Sequence, residues 1–362
     1  MSGVKNITIK QVALDAGVSI QTVSRVINNR YDVAPQTRQR VQEAINRLGY
    51  QPNAIARGLA SRRSRTLGLV TYDFNDYAFT QVVTGAEEVA HQHGYFFMLG
   101  NSKCDPCEEP KYLRLLTQRH VDGVLFARLA GLDVQEFLNL LANSSVPVVV
   151  TGYHRRDLPI SVVDVDNQAG ARQAVEYLLE NGHRQIACIT GPLSAQSAID
   201  RLAGYRQALE NTGISYNPHW VVEGNFTARS GYLAMQKLFQ TDRQFTAIFS
   251  HNDRMAIGAL SALHQAGLRV PEDISIIGYD DIPEAEFANP PLTTIRQNMV
   301  EIGAAAARLL IHLVENPGAA AEQVLLGTQL VLRQSVHPHW TDFSPHPAAS
   351  HHEAIETQQS DG

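Results

Sequence analysis

A chain of 362 residues with 44% hydrophobic and 18% charged residues is too long for one compact core and too apolar to be mainly disordered. No run of about 18 apolar residues occurs, which excludes a membrane-spanning helix, and three cysteines do not make a disulfide framework. The net charge of −6 hides a division: residues 1–65 hold 11 Lys+Arg against 3 Asp+Glu, and the remainder holds 19 against 33. A basic head on an acidic body points to a polyanion at the head; a solvated basic surface is the plainer alternative. The opening MSGVKNITIKQVALDAG is polar and amphipathic, with no apolar signal-peptide core, so a cytoplasmic protein is expected.

In chain order, Thr8 is suited to cap a first helix running through Gln11, Val12, Ala13 and Leu14. Gly17 supplies the permissive backbone of a tight turn. Ser19 caps a second helix, Ile20 to Ile27, with Val23, Val26 and Ile27 facing inward. Pro35 suits the first position of a third helix that reaches about Leu48, stops at Gly49, and turns Val41, Ala44, Ile45 and Leu48 to the core. Helix, short glycine turn and helix is the helix-turn-helix layout, whose second helix enters the major groove. Its outward face shows Ile20, Gln21, Thr22, Ser24 and Arg25. Gln can bond adenine and Arg guanine in bidentate fashion, while Ile can pack on a thymine methyl. Spacing alone fits an ordinary three-helix bundle equally well; the positive charge favours DNA.

The words TIKQVALDAGVSIQTVSRVINN and RQRVQEAINRLGYQPNAIARGLASRRSRTLGLV closely resemble the LacI/GalR family of bacterial repressors, and the chain is lactose-repressor-like over about residues 1–335. The resemblance implies a helix-turn-helix domain at 1–50 and a hinge helix with its linker at 51–66. It makes Ile20, Gln21 and Arg25 base readers, and Thr8, Ser19, Thr22, Ser24 and Asn28 phosphate contacts, which position without specifying. The lactose repressor has an aromatic residue where Ile20 stands but shares the Gln and the Arg, so a related yet different operator is expected. In the hinge, Gln51 to Ser64, Leu59 would wedge into the minor groove beside its dimer mate and kink the DNA. Asn53 would cap that helix, Ala56 would allow close helix approach, and Arg57 would reach phosphate or the groove wall. A Leu simply buried in a linker helix is the alternative. The implied assembly is a homodimer on a pseudo-palindromic double-stranded DNA operator, associated with the nucleoid and with no membrane partner. Two departures stand out. Ala34 occupies the third helix's cap, where many relatives have Ser, a loss of about 1 kcal/mol. Gly58 inside the hinge costs about 1 kcal/mol relative to Ala, so a hinge that forms only on the operator is expected.

From Thr66 the pattern changes. TLGLVTY, YFFMLGN, GVLFAR, VPVVVTG, SVVDVD, QIACITG, WVVEGN, TAIFSHND and DISIIGYDD each read as a buried parallel strand. Amphipathic stretches such as FTQVVTGAEEVAHQHG, GARQAVEYLLENG and DRMAIGALSALHQAG lie between them. The repeated βα pattern predicts a doubly wound α/β body. The fold class is therefore an N-terminal all-α helix-turn-helix domain plus an α/β body of doubly wound parallel sheets. The family resemblance makes that body two-lobed and periplasmic-binding-protein-like. It spans 67–336, with lobe 1 at about 67–166 and 298–328 and lobe 2 at about 167–297 and 329–336, followed by a disordered tail at 337–362.

Polar residues at strand ends face the crevice of such folds. Here they are Asp73, Phe74 and Asn75 after the first strand, Arg128 after GVLFAR, Ser197 and Arg201 after ITGPLS, and Phe226, Asn252, Asp253, Asp280 and Gln297. Carboxylates, amides and guanidinium beside an aromatic ring suit the vicinal hydroxyls and apolar C–H face of a sugar. The resemblance supports Ser197, Arg201, Phe226, Asn252, Asp280 and Gln297 as effector contacts; Asp253 is equally well read as a tie at its own helix start. Phe79, with Tyr77, either shapes the pocket or belongs to the core. Ala195 stands where a purine-responsive member has an arginine, which favours a sugar effector and a repressor of carbohydrate-utilisation genes. Cys104-Asp-Pro-Cys107 has metal or redox spacing but sits in a loop without convergent ligands, so no metal and no cofactor is expected. Phosphate loops and nucleophile elbows are absent, and the adjacent Asp280 and Asp281 point to opposite faces of a strand. An enzyme is not expected.

Overall fold

The computed structural model describes residues 7–28, 30–50, 63–71, 73–74, 77–103, 105, 107–127, 140, 144, 146–152, 160–241 and 244–339. Asn53, Ala56, Arg57, Gly58, Leu59, Asn75, Cys104 and Arg128 lie outside the described residues.

The head holds α1 (Ile9–Asp15), α2 (Ile20–Ile27) and α3 (Pro35–Leu48). Gln11 Oε1 accepts from the Thr8 N–H at 2.8 Å, closing the start of α1. Gly17 takes a left-handed φ of 61° in the turn to α2. Ser19 Oγ accepts from the Thr22 N–H at 3.1 Å, the expected cap. Ala34 caps nothing at α3, and Pro35 takes the first position. Val12, Ala13, Ala16, Val23, Val26, Val41 and Ala44 form the whole buried core of the three helices. It is a small core, so each local device counts.

Two sheets form the body. Sheet A has the order β11-β5-β4-β3-β1-β2, with β1 Thr66–Thr71, β2 Phe96–Asn101, β3 Gly123–Ala127, β4 Val148–Thr151, β5 Ser161–Val165 and β11 Gln323–Leu326. Sheet B runs β12-β10-β9-β8-β6-β7, with β6 Ile186–Thr190, β7 Val221–Glu223, β8 Ala247–Ser250, β9 Ser275–Asp280, β10 Thr293–Arg296 and β12 Gln329–Val331. Thr66 registers with Phe96 and Leu67 with Gly123, both in parallel pairs. The last strand, β12, runs antiparallel to β10. The described helices of the body are α4 (Tyr77–Gln92), α5 (Glu108–Gln118), α6 (Asn167–Glu180), α7 (Gln196–Asn211), α8 (Ala228–Leu238), α9 (Asp253–Gln265), α10 (Pro283–Phe287) and α11 (Met299–Glu315). In α8 and α9 the backbones meet at Gly258, where an added Cβ would lie 1.8 Å from the Ala228 carbonyl oxygen.

All nine strand readings coincide with strands, but β2 and β7 are not buried ones. Both stand at sheet edges, where one flank has no neighbour to cover it. Phe96 of β2 is 67% exposed, and Met98 and Leu99 are exposed beside it. β10 and β11 carry no strand expectation: one is four residues long and the other only half-buried along alternate positions.

Contact density divides the chain into two compact units, 1–74 with 84–149 and 306–320, and 75–83 with 150–305 and 321–362. The sequence predicts a disordered tail from 337, yet its first residues are fastened to sheet B and to the end of α6. The His337 N–H donates to Ser275 Oγ at 3.0 Å, and the His339 N–H to the Asn181 carbonyl at 2.7 Å. The imidazole of His183 sits between Thr246 Oγ1 (2.9 Å) and the His337 carbonyl (3.0 Å) and stacks on His339. Residues 340–362 lie outside the described set.

Candidate DNA-reading helix and ligand crevice

Burial of Val23 and Val26 against α1 and α3 turns the opposite face of α2 outward. Ile20, Gln21 and Arg25 are exposed on it, with Ser19 and Asn28 exposed at its two ends. Thr22 and Ser24 are half-buried, and Thr8 is exposed before α1. The hydroxyls of Ser19 and Thr22 lie 2.9 Å apart. Arg25 Nη1 is 3.4 Å from Asp32 Oδ2, with both side chains about half exposed. Such a pair contributes less than about 1 kcal/mol, so the guanidinium can exchange Asp32 for a base edge. Amide, guanidinium and sec-butyl groups on one exposed helix face are the equipment of major-groove reading.

A second cluster forms where the strands of sheet B end. α7 begins after β6 and carries Ser197 and Arg201 one turn apart on the same face. Arg201 is 5% exposed. Its Nε donates to Asn167 Oδ1 at 2.9 Å, and its Nη1 donates to the His251 carbonyl. That nitrogen lies 3.6 Å from Asp280 Oδ1, and the guanidinium carbon stands 3.7 Å from the centre of the Tyr279 ring. Gln297 Nε2 donates to Asp280 Oδ1 at 2.6 Å. A buried cation is thus neutralised by one carboxylate, satisfied by two acceptors and covered by an aromatic face.

The backbone turns sharply at Asp280 (φ 112°) and Asp281 (φ 58°), a conformation that is strained for residues other than glycine. The side chains part as their adjacency implied. Asp280 meets Arg201 and Gln297, while Asp281 accepts from Arg296 Nε at 2.6 Å and Arg333 Nη2 at 2.7 Å. Across the cluster, Asn252 caps α9 by accepting from the Met255 N–H at 2.9 Å and donates Nδ2 to the Phe226 carbonyl at 3.0 Å. Phe226 itself adopts a left-handed φ of 65°. Its ring lies so close over Gly191 that an added Cβ there would come within 2.1 Å of Cζ.

Asp253 is fully buried. It accepts from the Ile282 N–H at 2.9 Å and from Thr294 Oγ1 at 2.6 Å, tying the ends of β9 and β10 rather than its own helix start. Burial first, and then the charge of Asp280, hold its carboxyl well above the usual range. Three residues that the sequence reading passed over belong to the cluster: Asn167, His251 and Tyr279. Asn167 carried a usable signal, since it too follows directly on a strand end. His251 Nδ1 accepts from the Gly191 N–H at 3.3 Å, which leaves the proton on Nε2, 3.5 Å from Cys188 Sγ. Burial, then the charge of Arg201, keeps His251 well below its ordinary pKa, and burial pushes the Cys188 thiol up. A neutral imidazole beside a neutral thiol is not an activated nucleophile.

Asp73 (half-buried) and Phe74 (exposed) follow the end of β1, and Phe79 is buried on α4. Asn75 and Arg128 lie outside the described residues, as do the hinge residues. The described residues contain no group of three or more His, Cys, Asp or Glu placed to hold a metal. Among them no helix is long and apolar enough to cross a membrane.

Residues 8–53 match the model of bacterial regulatory proteins of the lacI family, and residues 175–336 that of the periplasmic binding protein-like domain. The HTH-type transcriptional repressor PurR of Histophilus somni is 37% identical over 330 residues, 91% of this chain and 98% of that protein. Among solved structures, a complex of the transcriptional regulator CelR with cellobiose is 36% identical with a TM-score of 0.70, covering 91% of this chain and 99% of the other. The Lac repressor dimer bound to operator and the anti-inducer ONPF is 33% identical with a TM-score of 0.81, over 92% and 100% of the two chains. A three-helix head with one exposed helix face, two mostly parallel α/β sheets and matches that run nearly the length of the chain agree: this protein belongs to the lacI family of bacterial regulatory proteins, and it is a DNA-binding transcription regulator, not an enzyme.

Proposed function

We propose that the protein is a homodimeric repressor of carbohydrate-utilisation genes whose grip on a pseudo-palindromic operator is set by a small sugar-type effector. The observation that carries the effector class is the cluster of Arg201, Asp280 and Gln297 with Phe226 nearby, at the carboxyl ends of sheet B. A carboxylate and an amide already aligned with each other can accept hydrogen bonds from vicinal hydroxyls and the guanidinium can donate to them, while a ring covers an apolar C–H face. The sugar in the CelR complex and the operator in the Lac repressor complex support the same reading.

The division of labour is 1–50 for DNA, 51–66 for the hinge, and 67–336 for effector and dimer. Within the body, 67–166 with 298–328 serves as lobe 1 and 167–297 with 329–336 as lobe 2. Ile20, Gln21 and Arg25 read bases; Asn53, Ala56, Arg57 and Leu59 serve the hinge. Asp73, Phe74, Asn75, Phe79 and Arg128 are the remaining proposed effector contacts. The exposed apolar edge of β2 supplies part of the surface for the second copy. The place of action is the cytoplasm, at the nucleoid. For the ligand to switch the protein it must bind two conformations unequally.

Thermal unfolding of the purified chain against monosaccharides, disaccharides, sugar phosphates and purines tests the proposal. A ligand at a hundred times its dissociation constant adds about 2.7 kcal/mol. A rise with a sugar supports the reading; a rise with a purine alone overturns the effector class.

A further inference from the structure

The first described residues of the hinge and its linker, from Arg63 on, are held to lobe 1 at every position. Ser64 donates its N–H to Asp122 Oδ1 at 2.8 Å and its hydroxyl to the same oxygen at 3.2 Å. Arg65 donates its N–H to the other carboxylate oxygen at 2.7 Å. Asp122 returns a bond from its own N–H to the Thr66 carbonyl at 2.8 Å, and the Phe96 N–H donates to the Arg65 carbonyl at 3.1 Å. One carboxylate therefore takes two successive backbone donors and a hydroxyl, just before β1 begins.

The side chains on either side repeat the arrangement. Arg63 Nη2 donates to the Val314 carbonyl at 3.4 Å, in the last turn of α11. Arg65 Nη1 reaches Glu315 Oε1 at 3.6 Å and the His93 carbonyl at 3.4 Å, and its guanidinium carbon stands 4.8 Å from the centre of the Tyr95 ring. Arg65 achieves this with a left-handed φ of 56°, which glycine adopts freely and arginine does not. A strained residue persists where its surroundings over-determine it, and such places mark functional joints. Tyr95 is 1% exposed, so the ring under the guanidinium is itself fixed.

We propose that Asp122 is a positioning residue of DNA recognition: by clamping Ser64 and Arg65 it fixes where the hinge leaves sheet A, and so sets the half-site spacing the protein accepts. The inference rests on the reading of the protein as a dimer with one head per half-site. Spacing between half-sites is a geometric property of how paired heads are held. A clamp at the root of the hinge restricts that geometry without touching a base, a phosphate or the effector. Asp122→Asn keeps the shape but turns one acceptor into a donor that faces an N–H.

The test uses the full chain and a duplex selected by the wild-type protein from a randomised pool, remade with its centre one base pair shorter and one longer. Wild type is expected to lose about tenfold or more in affinity on either change. Asp122→Asn flattens that profile, so that the loss shrinks to about threefold or less. A protein that is merely destabilised weakens on all three duplexes alike, and a profile parallel to wild type overturns the proposal. Ser64→Ala removes the hydroxyl donor and leaves Asp122 and both backbone donors in place; it flattens the profile in the same direction by a smaller factor and carries the test if the Asp122 variant fails to fold. If the wild-type protein is itself indifferent to spacing, the dimeric reading falls and the clamp falls with it.

Discussion

The reading face of α2 and the crevice of sheet B use much the same side chains, yet they are prepared for their partners in opposite ways. Arg25 is half exposed and leans on an equally exposed Asp32. Arg201 is 5% exposed and is gripped by an amide, a carbonyl, a carboxylate and a ring. If Arg25 reads a base as proposed, its half-exposed pair with Asp32 defers the ordering of that side chain to the moment of binding. The sheet B cluster has ordered its side chains at folding, so an effector binding there as proposed would meet a finished geometry and less entropy would be lost on its arrival. DNA supplies its own strong field and tolerates a loose reader; a small neutral molecule does not.

The largest effect that separates the two regions is expected from Arg201→Ala. Removing one partner of a buried pair costs about 3 kcal/mol or more, because Asp280 keeps Gln297 and loses its cation. Urea unfolding of the body should show that loss, and the ligand-induced rise in melting temperature should disappear. If Arg201→Ala proves as mild as Arg25→Ala, the contrast drawn above is wrong.

Next comes a pH effect confined to the body. Burial lowers the pKa of His183 from 6.5 to about 4. Between those values the unfolded chain takes up a proton that the folded chain refuses. The stabilisation is fully present above pH 6.5 and fades as pH falls towards about 4, by up to about 3 kcal/mol. Urea midpoints recorded across that window should flatten in His183→Asn. A residual slope remains, because His251 is shifted in the same direction.

Arg25→Ala should cost about 1–3 kcal/mol of discrimination between operator and mismatched duplex. Thermal stability and ligand response should stay at wild-type values, since an exposed pair contributes little. The smallest effect is a gain. Ala34→Ser restores a cap to α3 and should stabilise the head by up to about 1 kcal/mol, read from amide exchange of α3 against an unchanged body.

The head was legible because its signals are local. Ser19 caps a helix three residues away, Gly17 turns in place, and Val23 and Val26 share one face. Sheet strands were legible as apolar runs, but their rank within the sheet was not: Phe96 and Leu69 read alike in sequence, and only strand order leaves one exposed and the other buried. In the crevice, Arg201, Asp280 and Gln297 could be found because they follow strand ends. Asn167 carried the same strand-end signal, but the pairings could not be read, since the Asn167–Arg201 bond spans 34 positions and the one from Arg201 to the His251 carbonyl spans 50. The role of Asp253 was misplaced for the same reason: its partners are 29 and 41 positions away.

Asn252 holds Phe226 by its backbone carbonyl, not by its ring. The loop at 226 therefore keeps its anchor whatever side chain it carries, so that, given the effector role proposed for Phe226, this position is a natural dial for retuning which effector is sensed. Gly191 is the other half of the dial, because the present ring lies directly on it. A smaller side chain at 226 makes room for an alanine at 191, whereas any aromatic at 226 demands that the glycine stay. Anyone building a biosensor on this scaffold would vary the two positions as a pair and leave Asn252 alone.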